Sequence, residues 1–455
     1  VKIRVIRGEM REKIKSGAKI QILQLFLIIF LGKSLIMNHF NAVLLKIRRT
    51  DFAYISCFIL IIGLITSKFL LSTAMWMLII SALFRLRETE AKTLVPQYIG
   101  TIIQQFKINP AFLILTVWFS TVFISGLWSE DIVFWLERVR LRLPFVILPI
   151  AFMSLPAFNA RQLYGLFYGF VILMSVISLG VLINYAFHFD AINERIKIGK
   201  YVPIPLDHIR FSIELSFATL CGLELWLRNF FWKKAFETQL ILGLTLFLFV
   251  TLHVLSVRSG LSCLYICLII RILQYIFQKK KYIIGIGLLI ILLSIPFVAY
   301  KTIPTLNNKI NYALWDWKMR QQGTGQAYSD SERWIANRIG WQLWKTAPIL
   351  GIGAGDVRAA TEKIYIKKYP NLLPKEPHNQ WLYIGVGTGI WGVLACLGAF
   401  FYPLLRRRAY QEPLFLMLHL NLFTSFIPES PVEIAIGTAF YVFFVCLYLN
   451  HLKTN

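Results

Sequence analysis

The sequence predicts an all-α polytopic membrane protein, with about twelve transmembrane helices and one large, partly helical outer loop. Two observations carry that class. Of the 455 residues, 57% are hydrophobic and 16% charged, and the mean hydropathy is +0.62, too apolar for a soluble domain with an ordinary surface. Apolar runs of about 17 to 25 residues, the length that crosses roughly 30 Å of hydrocarbon as helix, recur along the chain. They show no barrel-like alternation, so closing the backbone hydrogen bonds in lipid demands helices.

In order, the spans read as residues 52–65, 69–84, 111–127, 141–155, 163–187, 209–227, 239–257, 261–277, 282–300, 382–405, 414–427 and 432–449. Some are short, and only Ser67-Lys68 separates the first two, which read as a tight helical hairpin. The chain therefore divides into a basic N-terminal region 1–51, nine helices in 52–300, a loop domain 301–377 and three helices in 378–455. Within the first region, residues 20–37 form a further apolar run behind many Lys and Arg, suited to a signal-like segment or an extra helix. Its reading is an upstream extension with Met37 as the natural start, which native material beginning upstream of Met37 would reject.

Orientation follows from Lys and Arg in the short loops. Arg48-Arg49, Arg85, Arg87, Arg161, Arg228, Lys233-Lys234, Lys279-Lys280-Lys281 and Arg406-Arg407-Arg408 share one side when the spans alternate. The positive-inside rule makes that side cytoplasmic. His208, Arg210, Arg258, the 301–377 loop and residues 428–431 then face the opposite side, the periplasm if the membrane is a bacterial inner membrane. Topology and contact with anionic lipid account for the net charge of +25 without nucleic acid. All six cysteines fall in apolar spans, which argues against a disulfide framework or a thiolate metal site; Cys263 and Cys267 read as small packing residues on one helix.

The chemistry concentrates in the outer loop and at its borders. Ser329-Asp-Ser-Glu332 has the pattern of a capping box, and a helix should follow over 333–345 until Pro348 stops it, with Trp334, Arg338 and Trp341 on one face and Ile335, Ile339 and Leu343 on another. Gly351-Ile-Gly353-Ala-Gly355-Asp356 superficially suggests a phosphate cradle, yet neither a βαβ unit nor Gly-Lys-Ser/Thr accompanies it. It reads as a tight outer turn, with backbone donors aimed at a ligand phosphate as the other reading. In Glu376-Pro377-His378-Asn379-Gln380-Trp381, a titratable histidine stands at the mouth of the 382–405 span, at the membrane boundary.

Ionised residues at membrane depth are costly and usually have a reason. Arg258 closes one apolar run and precedes Ser259-Gly260 before the next; Arg210 enters its span two residues after His208. Snorkelling to the interface explains either one alone. Clustered with Arg333 or Arg338 around His378, they would make a cationic pocket matched to a pyrophosphate through forked hydrogen bonds. His208 is either a competing base or a helix-entry residue.

Asp207-His-Ile-Arg210, Val257-Arg-Ser-Gly260, Arg333 with the 341–355 segment containing Pro348-Ile-Leu-Gly-Ile-Gly, and His378-Asn379 ahead of a glycine-bearing helix together resemble the O-antigen ligase and polymerase superfamily. The likeness spans most of the chain beyond Phe52. It implies about twelve helices and transfer of a glycan from an undecaprenyl diphosphate carrier on the periplasmic face; attack from the face opposite the diphosphate would invert the anomeric centre, and no cofactor is expected. On that reading His378 is the base that activates the acceptor hydroxyl, Arg210, Arg258, Arg333 and Arg338 hold the donor diphosphate, and His208 and Asn379 support them. The ligase branch would take the lipid A core as acceptor. A polymerase extending carrier-linked repeats, a protein O-oligosaccharyltransferase and a transporter are the alternatives, the last disfavoured because the ions sit at the outer boundary and not in mid-span. Glu130-Asp131, where a metal-dependent rival would place its carboxylates, reads as a solvated loop, and no metal is expected.

Overall fold

The computed structural model describes residues 49–86, 94–96, 104, 106–205, 207–228, 234–322 and 328–454; the apolar run 20–37 and the Met37 start lie outside them. One compact unit comprises residues 53–85 and 96–455 and another residues 1–52 and 86–95; the helices that carry the site belong to the former. Helices α1 (Arg49–Thr66) and α2 (Lys68–Leu83) make the expected hairpin. Gly63 lets them approach, since a Cβ there would stand 2.4 Å from the Leu71 amide nitrogen. Two three-residue strands, Phe84–Leu86 and Leu94–Pro96, pair as a small sheet that the apolar pattern does not announce.

Next come α3 (Pro110–Ile124), α4 (Ile132–Arg142), α5 (Pro144–Ser154), α6 (Ala160–Phe187), α7 (Phe189–Lys197), α8 (His208–Arg228), α9 (Ala235–Leu255), α10 (Arg258–Lys279) and α11 (Tyr282–Thr302). The expected loop domain is largely helical, as α12 (Pro304–Gln321), α13 (Ser329–Thr346) and α14 (Val357–Lys368). The chain returns through α15 (Gln380–Leu405), α16 (Pro413–Ser425) and α17 (Ala435–His451).

Among the described residues, seven helical stretches are long and apolar enough to cross a membrane: Arg49–Thr66, Pro110–Leu127, Ala160–Phe187, Ala235–Leu255, Arg258–Lys279, Tyr282–Thr302 and Gln380–Gln411. The protein is thus a helical, multi-pass membrane protein. The other expected spans are helices of a different kind. Those in α2, α16 and α17 are apolar but shorter. The span expected at 209–227 is α8, which carries Arg210, Glu214 and Glu224, and the one expected at 141–155 is divided between the basic end of α4 and the 11-residue α5.

Burial orders these helices. Every residue from Ile436 to Asn450 of α17 is buried, so this helix is the axis of the bundle, where Phe444 stacks on Phe167 of α6 at 5.7 Å and meets Phe217 of α8 edge-on at 5.1 Å. By contrast α11 buries only Gly285, Leu292 and Ala299, while Ile283, Ile290, Leu293 and Phe297 lie open, the surface of a helix solvated by lipid tails. All six cysteines are free and buried, and Cys263 and Cys267 donate to the Asn421 and Met417 carbonyls, packing α10 on α16.

The predicted 382–405 span is not one continuous helix. Gly389 has φ +64 and ψ −161, a conformation open essentially to glycine alone, and it breaks α15. The chain from Pro348 to Gly353 fits into that break. Ile352 N–H donates to the Val386 carbonyl at 2.8 Å, Gly353 N–H to Gly387 at 3.1 Å, and Ile390 N–H to Pro348 at 3.0 Å. Backbone groups released by the break are therefore satisfied inside the protein, as a low-dielectric surrounding requires. The Gly351–Asp356 run is accordingly a buried plug and not a free outer turn: its Ala354 and Gly355 amides donate to the Ser125 and Ser129 hydroxyls. A Cβ on residue 389 would lie 2.1 Å from the Ile349 carbonyl oxygen. Replacing Gly389 by Ala should cost about 2–4 kcal/mol, read as a lowered thermal midpoint of the detergent-solubilised protein.

Candidate functional site

A cavity of about 860 Å³ opens where α8, α10, α12, α13 and the segments around His378 and Glu429 converge. His378, Arg258, Arg333 and His208 line it; Arg210, Arg338 and Asn379 do not.

Each wall has a local cause. Ile335, Ile339 and Leu343 turn the apolar face of α13 against Tyr365, Leu382 and Val386, leaving Trp334, Arg338 and Trp341 exposed as their spacing predicts. The capping box at its start does not form. Helix α13 begins at Ser329, and the carboxylate of Asp316 on α12 serves its first turn, accepting from Asp330 N–H at 2.8 Å and Ser331 Oγ at 2.6 Å. Glu332, released from capping, pairs with Lys375. Gly340 then lets Pro377 settle on α13, since a Cβ there would stand 2.6 Å from Pro377 Cγ.

That contact fixes His378. Its backbone N–H donates to Asn337 Oδ1 on α13 at 2.8 Å. Asn379 caps α15 through Leu382 N–H at 2.9 Å and donates to the Ile427 carbonyl at 2.9 Å, so its side chain is occupied in positioning the turn. The imidazole Nδ1 lies 3.5 Å from Glu429 Oε2, and Arg333 reaches the other oxygen of the same carboxylate at 2.8 Å. Only 2% of the Glu429 side chain is exposed. Glu429 thus joins a base candidate and a guanidinium, and it is a candidate site residue that reading the sequence missed. Its signal was a lone carboxylate in Pro428-Glu-Ser-Pro431, a short connection between two apolar runs.

Arg258, the first residue of α10, grips Asp330 with both ends of its fork. Burial raises the Asp330 carboxyl, but Arg258, with Arg333 and Lys309, outweighs it and holds the group below its usual range. Arg210 turns away from the cavity, to Asp207 at 3.3 Å and the Ser430 carbonyl at 3.3 Å, bracing the Glu429 loop from behind. Arg338 lies over the Trp334 ring at 5.4 Å. His208 opens α8, whose first amides are capped by Asp207, and stacks on Tyr201 at 3.8 Å. The backbone amides of Glu130 and Asp131 instead bind the Asp356 carboxylate at 2.9–3.1 Å beside the glycine plug, and neither residue lines the cavity.

Below the site lies a second ionic cluster. Arg142 pairs with Glu433, Arg138 donates to the Glu433 carbonyl at 3.3 Å, and Gln380 Nε2 donates to Glu433 Oε1 at 2.6 Å while its own Oε1 accepts from Val432 N–H. This ties the first residue of α15 to the connection that carries Glu429, whose carbonyl also accepts from Gln380 N–H at 3.1 Å.

Against known protein families, residues 243–397 match the model described as O-antigen ligase. In this segment the chain is similar to the O-antigen ligase family. No curated protein matches the chain. The matched segment contains Arg258, Arg333, Arg338, His378 and Asn379, whereas His208 and Glu429 stand outside it and complete the cavity from other parts of the fold. The family supports glycan transfer from a lipid-linked donor as the general reaction class.

Truncating Glu433 leaves Arg142, which is 3% exposed, buried with no carboxylate. Glu433→Ala should destabilise the protein by about 3–5 kcal/mol, measured as loss of thermal midpoint in detergent.

Proposed function

We propose that the protein transfers a glycan from undecaprenyl diphosphate to the lipid A core, at the periplasmic face of a bacterial inner membrane, through a bundle of about twelve helices. The observation that carries the reading is the convergence of His378, Arg333 and Arg258 on one cavity, with the first two held by the same buried carboxylate.

The acceptor hydroxyl attacks the anomeric carbon from the face opposite the diphosphate, which inverts that centre. A carbon–oxygen bond to the acceptor forms as the bond to the diphosphate oxygen breaks. His378 takes the hydroxyl proton: with Nδ1–H directed at Glu429, Nε2 remains as the acceptor. The electron pair leaves with undecaprenyl diphosphate, whose charge Arg258 and Arg333 stabilise. Both arginines are ion-paired to side chains of the cavity wall, so the donor phosphates take the places of the Asp330 and Glu429 oxygens on part of each guanidinium. Arg210 acts from behind through the Ser430 carbonyl.

Radiolabel followed from carrier to lipid A core, with purified protein in liposomes and EDTA present, tests this. Transfer should persist without divalent cation. His378→Ala should lower it by about 10²–10⁴-fold, and Arg258→Lys, which keeps the charge but loses the fork, by about 10–100-fold. Label that stays on the carrier in longer chains makes the protein a polymerase, and full activity of His378→Ala removes the proposed base.

A further inference from the structure

Among the charged residues that line the cavity, carboxylates answer most of the cations. Arg258 holds Asp330, Arg333 holds Glu429 and Lys375 holds Glu332. Two lining cations have no carboxylate partner among the described residues, Lys200 and Lys309. Lys200 is exposed, whereas Lys309 is half-buried in the wall formed by α12.

The surroundings of Lys309 look built. Its ammonium donates to the Gly199 and Lys200 carbonyls, each at 3.0 Å. Those carbonyls belong to the turn after α7, where Gly199 has φ +88 and a Cβ would stand 2.7 Å from the Tyr312 ring. The turn is therefore pressed against α12 at a position that only glycine fits, and it presents oxygens to Lys309. Two acceptors occupy two of the three N–H groups, and the third remains for a ligand in the cavity.

We propose that Lys309 is a third diphosphate-binding cation, half-buried in the wall and without a carboxylate on it, that meets the donor phosphates that Arg258 and Arg333 orient. The inference rests on the diphosphate reading of the cavity. It gives each cation a distinct part: the arginines exchange one anion for another, and Lys309 supplies the uncompensated charge that makes the exchange favourable.

The groups facing Lys309 are Arg258 from α10, Asp330 and Arg333 from α13, His208 from α8, Lys200 from the turn and Tyr312 from α12 itself. On α7, which packs against α12, Glu194 and Lys197 pair with each other in solvent at 2.6 Å. Burial, then Arg258 and Arg333, lower the ammonium to about 8 against the opposing pull of Asp330. Without a bound anion Lys309 therefore releases this proton as pH rises through about 8, and an anion, which favours the charged form, restores it.

The probe is inorganic pyrophosphate, titrated calorimetrically into the full chain in zwitterionic nanodiscs. At about pH 7, Lys309→Met should bind about tenfold more weakly or worse, while Lys309→Arg stays within about threefold of the unsubstituted protein. Between about pH 7 and about pH 9 the unsubstituted protein should lose about tenfold in affinity relative to Lys309→Arg, a ratio that cancels the titration of pyrophosphate itself. Equal binding by Lys309→Met, or a ratio constant across that range, overturns the inference and leaves the diphosphate reading standing. Absence of pyrophosphate binding by the unsubstituted protein overturns both. If Lys309→Met fails to fold, the ratio with Lys309→Arg decides alone.

Discussion

The buried carboxylate of Glu429 is the constraint on which the site depends. Moving a carboxylate from water into a protein interior costs several kcal/mol unless it is paired and hydrogen-bonded. Glu429 meets that condition only where Arg333 and His378 stand on its two oxygens. These residues come from α13, the entry to α15 and the exit of α16, so one charge requirement fixes three segments relative to each other. Removing either partner leaves the carboxylate under-compensated, which ties the geometry of the proposed chemistry to the stability of the cavity wall.

A second constraint supports the first. The break at Gly389 frees backbone groups of α15, and the Pro348–Gly353 chain satisfies them, which locks the end of the loop domain to the helix that follows it. Because α13 leads into that plug and His378 leads into α15, the two flanks of the cavity are anchored on the same break. The Arg138–Arg142–Glu433 cluster does the same from below through Gln380. The cavity is thus framed by packed elements tied together by backbone hydrogen bonds and ion pairs, although most of its lining residues come from helix ends and connections.

Much of this was legible in the sequence, for identifiable reasons. Apolar length gave the helical membrane class, and the 3.6-residue period on 333–345 gave the buried and exposed faces of α13. The placement of His378 and Arg258 at the borders of apolar runs singled them out, because ionised groups are costly there. What remained hidden depends on contacts distant in sequence. The Ser329–Glu332 pattern could not reveal that Asp316 supplies the cap, nor could the Gly351–Asp356 run reveal the helix break it fills. Arg333 and Arg338 were equivalent by spacing, and only the direction of each side chain separates the one on Glu429 from the one on Trp334. The span read at 209–227 is α8, which buries Glu214 and Glu224 inside the bundle and is not among the stretches apolar enough by composition to cross a membrane.

The cavity's charge pattern, with Arg258 and Arg333 each on a carboxylate and Lys309 on none, is the basis of the proposed anion site. The measurement that tests this account most directly is a cryo-electron microscopy map of the protein in nanodiscs with undecaprenyl diphosphate bound. The account predicts diphosphate density between Arg258 and Arg333, within reach of Lys309 and on the side of His378 opposite Glu429. Density for the diphosphate elsewhere on the protein, with this cavity empty, would contradict it.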